Sequence, residues 1–258
     1  MNCEDYDSDA NSKGLLISIE GPYATLAEHT ALLVSQELKK GSAPWSGQVQ
    51  FVQFRNPPGF SLGHSSVLQK PGKPLKDMDP YFHGAILAEN HREQSSSLQS
   101  RLIDGGIVLT TAYVEGVVLD MGLKFSNAKE CSRFASHQFN LEYDCLGLPH
   151  PNHVVMLDLS PQGWDELQPR KLQTRGGVGN YGKKDLPYFE EFNQWYHALG
   201  KKRNWNFVDC NPPHFSRSES VLVQSLCHLI SELIERQPGL VDPSPPKRPG
   251  THPASTLR

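Results

Sequence analysis

Short apolar runs alternate along the chain with longer segments in which apolar residues recur at helical spacing. The short runs are bounded by turn residues such as glycine and proline, which is typical of buried parallel strands. The pattern predicts strands at residues 14–20, 49–54, 107–111, 153–159 and 205–209. The longer segments predict helices at residues 26–39, 80–103, 126–139, 186–199 and 218–236. Because such alternation builds a parallel sheet covered on both faces, we expect an α/β fold, a doubly wound, five-stranded parallel sheet flanked by helices.

Residue patterns within the helices predict which positions face the core and which cap the ends. In the first helix we interpret His29 as a packed side chain rather than a catalytic one, because it lies on the apolar stripe of Leu26, His29, Leu32 and Leu33. Asp79 followed by Pro80 is typical of a capped helix start, and Ser126 is a candidate cap for the helix that follows. The expected inward positions of the last helix are Val221, Leu222, Leu226, Leu229, Ile230 and Leu233.

Composition narrows the classes of protein. The 258 residues carry a net charge of −3 and give a pI near 6.4, which argues against a protein that coats nucleic acid. No apolar run approaches the ~18 residues of a membrane span, so we expect no membrane partner. The five cysteines form no C-x-x-C pair, which favours reduced thiols in a cytoplasmic setting and makes a metal site unexpected.

The two ends of the chain differ from the segment between them. Residues 1–13 are rich in acidic side chains, and residues 237–258 include six prolines. Neither segment can bury enough apolar surface to order itself. We therefore predict a disordered acidic N-terminus, one folded domain at 14–236 and a disordered proline-rich tail.

Candidate chemistry lies at the carboxyl ends of the predicted strands, where open parallel sheets bind their ligands. An apolar strand that runs through Glu20 into Gly21 and then a helix is the setting of a phosphate-binding loop. Such a loop continues Gly-x-x-x-x-Gly-Lys-Ser/Thr, whereas the last three positions here hold Leu26, Ala27 and Glu28. The frame of a phosphate loop is therefore present without its lysine and its hydroxyl group.

Several motifs stand in the order found in thymidylate kinases, which are nucleoside monophosphate kinases of the phosphate-loop class. They are Ile19-Glu20-Gly21, Arg55-Asn56-Pro57-Pro58-Gly59, Ala88-Glu89-Asn90-His91-Arg92-Glu93, Thr110-Thr111-Ala112-Tyr113, Gly147-Leu148-Pro149-His150-Pro151-Asn152 and Arg175-Gly176-Gly177-Val178-Gly179-Asn180-Tyr181. On these residues the chain resembles the thymidylate kinase family over roughly 14–236, with a lid near 162–188.

The resemblance implies a nucleotide kinase that uses ATP and Mg²⁺ to phosphorylate thymidine monophosphate (dTMP). Its implied nucleotide-binding residues are Glu20, Gly21, Arg55, Arg92, Tyr113 and Tyr181. Cationic candidates for the donor phosphates come from the lid, at Arg175, Lys183 and Lys184, and no residue is assigned a catalytic role beyond these. Relatives that dimerise suggest a homodimer or another protein partner.

Departures from the family pattern weaken the expectation of catalysis. The phosphate-loop lysine falls at Ala27 and the magnesium-binding hydroxyl at Glu28, while the Asp-Arg pair before the conserved tyrosine falls at Thr111 and Ala112. In the acceptor site the aromatic residue that stacks on the base falls at Leu87. An arginine that contacts the base or the phosphate falls at His91, although Arg92 could substitute for it after a small shift of register.

Each candidate ligand also has a structural interpretation. Arg55 could form a buried ion pair with Glu20 or Glu89 instead of binding a phosphate, and Arg92 could belong to a solvated helix face. Tyr113 could be a core aromatic, and the lid cations could lie on a solvated loop.

Two functions follow. The first is a thymidylate-kinase-like protein with a degenerate ATP site, weak or absent catalysis and a binding or structural role. The alternative is an active dTMP kinase. A scaffold subunit that uses both ends as contact arms is a third hypothesis.

Overall fold

The computed structural model describes residues 13–21, 24–54, 78–160, 186–211 and 219–237. Within them the strands are β1 (Leu15–Glu20), β2 (Val49–Gln53), β3 (Ile107–Thr111), β4 (His153–Asp158) and β5 (Asn206–Asp209). The α-helices are α1 (Ala24–Lys40), α2 (Pro80–Ile103), α3 (Val114–Gly122), α4 (Ala128–Phe139), α5 (Leu186–Lys202) and α6 (Glu219–Glu235). A 3₁₀ turn at Ser46–Gln48 precedes β2, and a π-helix at Asn140–Cys145 follows α4. The predicted acidic N-terminus, most of the lid and the proline-rich tail lie outside the described residues.

All five strands are parallel, in the order β2-β3-β1-β4-β5. The central strand β1 pairs with β3 from Leu15 opposite Ile107 to Ser18 opposite Thr110. It pairs with β4 up to Glu20 opposite Met156. The predicted sheet is confirmed, and its register brings the carboxyl ends of β1, β3 and β4 to one edge.

The sheet divides the core into two layers because successive strand residues point to opposite faces. Leu15, Ile17 and Ile19 pack against α1 and α6. Leu16, together with Val108 of β3, packs on the other face against α2, α3, α4 and α5. Glu20 follows the parity of Leu16, so its carboxyl group enters the second layer.

The helix α1 turns a different face to the sheet from the one predicted. Its buried side chains are Leu26, Ala27, Thr30, Ala31, Val34, Ser35 and Leu38. His29 is exposed, so its interpretation as a packed residue was wrong, and Leu32 is 41% exposed. The reason is that the small side chains of Ala27 and Ala31 lie against the sheet and let the helix approach closely. A stripe judged by leucine positions is therefore rotated away from the true one.

Three further differences concern a helix face, a helix cap and a short helix. Val221 of α6 is 44% exposed rather than inward. Asn127, not Ser126, caps α4, since its side chain accepts a hydrogen bond from the Glu130 amide at 3.0 Å. The helix α3 was not predicted, because seven of its nine residues are buried and leave no polar face to reveal a helical period.

Candidate functional site

The carboxyl end of β1 places a buried acid against the start of α3. The Glu20 Oε1 atom accepts hydrogen bonds from the Ser18 hydroxyl group at 2.6 Å and from the Tyr113 amide at 2.9 Å. The Oε2 atom accepts a third from the Ala112 amide at 3.1 Å. Burial raises the pKa of Glu20 to about 8, although the hydrogen bonds from Ser18 and Tyr113 oppose the rise. This carboxyl group is therefore poised to change its charge near neutral pH.

Gly116, in the first turn of α3, makes room for that carboxyl group. A Cβ atom at this position would lie 2.4 Å from the Glu20 Oε2 atom, closer than any real contact. The glycine inside α3 is thus required by the acid that packs on it.

Ala112 links β3 to α3 in a left-handed backbone conformation, with φ at 54°. Residues other than glycine and asparagine rarely adopt it, because Cβ meets the following carbonyl group. Two buried side chains hold this turn, since Glu20 accepts from the Ala112 amide and the His91 Nε2 atom lies 3.0 Å from the Ala112 carbonyl oxygen. A strained conformation that is held from both sides is typical of a functional site.

His91 also belongs to a buried polar chain that reaches α4 and the π-helix. Its Nδ1 atom contacts the Glu142 Oε2 atom. The Gln138 side-chain amide donates to the Glu142 Oε1 atom at 2.6 Å and to the Gly84 carbonyl oxygen at 3.0 Å. Because a carbonyl oxygen only accepts, the His91 Nε2 atom is the donor to Ala112, and the Nδ1 atom faces the Glu142 carboxyl group.

A second buried acid lies beside this chain. Glu115 accepts a hydrogen bond from the Tyr143 hydroxyl group at 2.7 Å, while its Oε2 atom has no partner among the described residues. Burial raises the pKa of Glu115, and the Tyr143 hydrogen bond and the charge of Arg203 oppose that rise. Burial likewise raises the pKa of Tyr143 well above its usual value. Among the described residues, the site thus brings several acidic groups together.

Tyr113 is fully buried beneath the site. Its hydroxyl group donates to the Pro149 carbonyl oxygen at 2.8 Å, and its ring packs against Phe54 and His91 with centroid distances of 4.9 Å and 5.4 Å. This position ties β3 to the segment that enters β4.

At the start of α1, two residues separate Gly21 from the first helical residue, Ala24. Residues 24–28 therefore lie within the helix. Ala27 is completely buried in the apolar core, where it packs with the sheet residues of the first layer. Gly21 itself lies close to β4, since a Cβ atom there would come within 3.0 Å of the Leu157 carbonyl oxygen.

The structure brings some of the predicted site residues together. Glu20 and Tyr113 meet through a hydrogen bond, and Gly21 follows Glu20 directly. Arg92 lies on the exposed side of α2, where it forms a bidentate ion pair with Glu89 at 2.7 Å. The remaining candidates lie outside the described residues; they are Arg55, Arg175, Tyr181, Lys183 and Lys184.

Sequence reasoning missed the buried polar residues of α3, α4 and the π-helix. These are Glu115, Gln138, Glu142 and Tyr143. In a polar segment such as Asn140–Cys145 an acid normally lies on a solvated face, so Glu142 carries no signal of its own. A π-helix is rare and concentrates at functional sites, but periodicity does not reveal one.

Neither a metal centre nor a membrane span is found in the described part of the chain. No group of three His, Cys, Asp or Glu side chains there could hold a metal ion. None of the described helices is both long and apolar enough to span a bilayer.

Comparison with known proteins gives matches by structure only. No protein-family model matches the chain, and no curated protein matches its sequence. Thymidylate kinase from Ehrlichia chaffeensis superposes with a TM-score of 0.53 at 11% identity, over 85% of this chain and 98% of that one. Thymidylate kinase from Candida albicans gives 0.51 at 18% identity, over 85% and 92%. At these identities the likeness establishes the fold alone, and the chain has the doubly wound α/β fold of the thymidylate kinases.

Proposed function

We propose that this protein is a thymidylate-kinase-like protein with a degenerate ATP site, in which catalysis is weak or absent and the role is binding or structural. The observation that carries the proposal is the start of α1. The helix begins three residues after Gly21, and Ala27 stands buried at the position of the phosphate-loop lysine.

The geometry at the start of α1 supports the loss of the phosphate-binding loop. A phosphate loop places four residues between its first glycine and the Gly-Lys pair, so that the backbone can wrap around the anion. Here residues 24–28 belong to the helix α1, and only two residues separate Gly21 from its first residue. Glu28, which follows Ala27, would repel a phosphate group. We infer that the described residues do not fit a magnesium–triphosphate group.

The energetic consequence is large. Phosphoryl transfer depends almost wholly on positioning and on cations that stabilise the transferring group. Loss of one such stabiliser commonly costs ~3 kcal/mol, or about 10²–10³ in rate. Two or more losses would leave roughly 10⁻⁵ of the rate if they added, although residues that act as a unit share their effect. Catalysis at the rate of an ordinary nucleotide kinase is therefore not expected.

The alternative function is an active dTMP kinase, and the shared fold is the observation that favours it. In that case Arg55 would hold the acceptor phosphate and Arg92 would assist it. The lid cations Arg175, Lys183 and Lys184 would serve the donor, with ATP and Mg²⁺ as the implied cofactors.

Calorimetry on the full chain tests the proposal. We expect titrations with ATP–Mg²⁺ and with dTMP to give affinities no tighter than millimolar. Micromolar affinity for both would contradict it. Arg55→Ala then shows whether any binding uses the implied site, with Arg236→Ala as the matched control, because Arg236 is an exposed arginine that pairs with Glu232 at the end of α6.

A further inference from the structure

On α2, His91 is buried and Leu87 is half-buried. The resemblance places the aromatic residue that stacks on the acceptor base at Leu87, and an arginine that contacts the base or the phosphate at His91. Leu87 packs against Val117 and Met121 of α3 and Phe134 of α4. His91 is 1% exposed. Side chains of this chain therefore contact both the apolar position Leu87 and the polar position His91.

Glu142 meets His91 as a bound ligand would. Its Oε2 atom contacts the His91 Nδ1 atom, and its Oε1 atom accepts a hydrogen bond from the Gln138 side-chain amide. All three side chains are at most 1% exposed. A carboxyl group held by an imidazole and an amide in a closed setting is the arrangement expected of a recognised anionic or acidic ligand. Here the ligand is covalently part of the protein.

The π-helix is what delivers this carboxyl group. Its i+5 turn is seen in the hydrogen bond from the Leu146 amide to the Leu141 carbonyl oxygen at 3.0 Å. Within it the consecutive residues Glu142 and Tyr143 are both buried, and each bonds a side chain from a different helix. Such wide turns cost helical regularity and are usually retained where they aim a side chain.

Among the described residues, α2 and α4 are in close contact next to Gln138. A Cβ atom on Gly84 would lie 2.5 Å from the Gln138 Oε1 atom and 3.0 Å from the Phe134 ring. The two helices thus meet backbone to side chain one turn before Leu87.

We propose that Glu142 is a built-in ligand of the α2 surface, which with Gln138 and Leu87 closes the acceptor side of the fold against a nucleoside. The inference rests on the proposed function, since it concerns the acceptor side of the same fold. It goes further because it says that acceptor binding is excluded by packing, independently of the phosphate loop.

The first test is an NMR titration of the full-length wild-type protein with thymidine and, separately, with dTMP. The observed signals are the His91 ring nitrogens and the backbone amides of α2 and α3. We expect no saturable shift up to millimolar ligand. Saturable shifts at His91 and Leu87 with either ligand would overturn the inference.

The second test removes the built-in ligand and supplies its equivalent. Glu142→Ala deletes a CH₂–COO⁻ unit, for which acetate is the free counterpart. We expect the variant to melt about 6–20 °C below the wild type, because a buried partner is left unpaired. Acetate should raise that midpoint saturably, and should not raise that of Glu235→Ala, which removes an exposed acid of α6.

If Glu142→Ala does not fold alone, the readout becomes its refolding yield with and without acetate. Failure of acetate to improve either quantity would overturn the inference. The failure of this inference and the failure of the proposed function would also give different results. Phosphoryl transfer from ATP without any shift at His91 would refute the proposed function alone, whereas dTMP binding at α2 without phosphoryl transfer would refute this inference alone.

Discussion

The Glu20 carboxyl group should make the folded state less stable as the pH rises through neutrality. Burial raises its folded pKa from 4.5 to about 8. The folded protein therefore binds this proton more tightly than the unfolded chain does. The contribution is complete below pH 4.5 and is lost progressively as the pH rises to about 8. Glu20→Gln removes the titrating group and should remove this part of the pH dependence.

The magnitude follows from the size of the pKa shift. A shift from 4.5 to about 8 corresponds to roughly 5 kcal/mol between the two ends of the range. The glutamine variant has its own cost. Its carboxamide oxygen can accept from Ser18 and Tyr113, but its NH₂ group would then face the Ala112 amide, 3.1 Å from the present Oε2 position. Loss of that bond costs about 1–3 kcal/mol. The variant should be less stable than the wild type near pH 5 and equal to it or more stable above pH 8.

Urea denaturation at half-unit steps from pH 5 to pH 8.5 measures the difference in free energy of unfolding between Glu20→Gln and the wild type. Unfolding is followed by the fluorescence of the buried tryptophans Trp45, Trp195 and Trp205. Glu235→Gln, at an exposed acid, is the control and should keep the wild-type pH profile. If the Glu20→Gln and wild-type profiles run parallel over this range, Glu20 is not held neutral by burial and the reasoning is wrong.

Three further changes test the packing around the site. Ala112→Gly removes the Cβ clash of a left-handed residue and should raise the free energy of unfolding by up to about 1 kcal/mol in urea; a clear loss would mean that the turn is not strained. Ala27→Lys should lower the free energy of unfolding by at least ~3 kcal/mol, because it buries a charge in the core. The control Gln36→Lys, on the exposed side of α1, should change it by less than ~0.5 kcal/mol. A stable Ala27→Lys protein that binds ATP would refute the burial of position 27. Asn127→Ala should lower the thermal midpoint through loss of about 1 kcal/mol of capping, and an unchanged midpoint would show that another group caps α4.

The sheet could be predicted from the sequence because its strands are continuous apolar runs between turn residues. Ile107–Thr111 was predicted with the bounds that the structure gives, and α2 from its Asp79 cap and Pro80. These signals are local: each comes from neighbouring residues in the sequence and does not depend on distant contacts. The face of α1 and the existence of α3 were not predictable in this way. In the first case alanines set the approach to the sheet, and in the second the helix has no exposed side.

The candidate site was predictable only where a motif marks a strand end. Glu20 and Tyr113 were chosen from such motifs, and the structure joins them by a hydrogen bond. The contact between His91 and Glu142 joins residues 51 positions apart and depends on a π-helix, so no local pattern could reveal it. Arg55 and the lid cations remain predictions, since they lie outside the described residues.

A coupled assay of ADP release from ATP–Mg²⁺ in the presence of dTMP tests the central claim most directly. If the helix α1 begins where the phosphate-binding loop would lie, the purified full-length protein should show no turnover above background. Turnover at a rate ordinary for nucleotide kinases, abolished by Arg55→Ala and kept by Arg236→Ala, would contradict it.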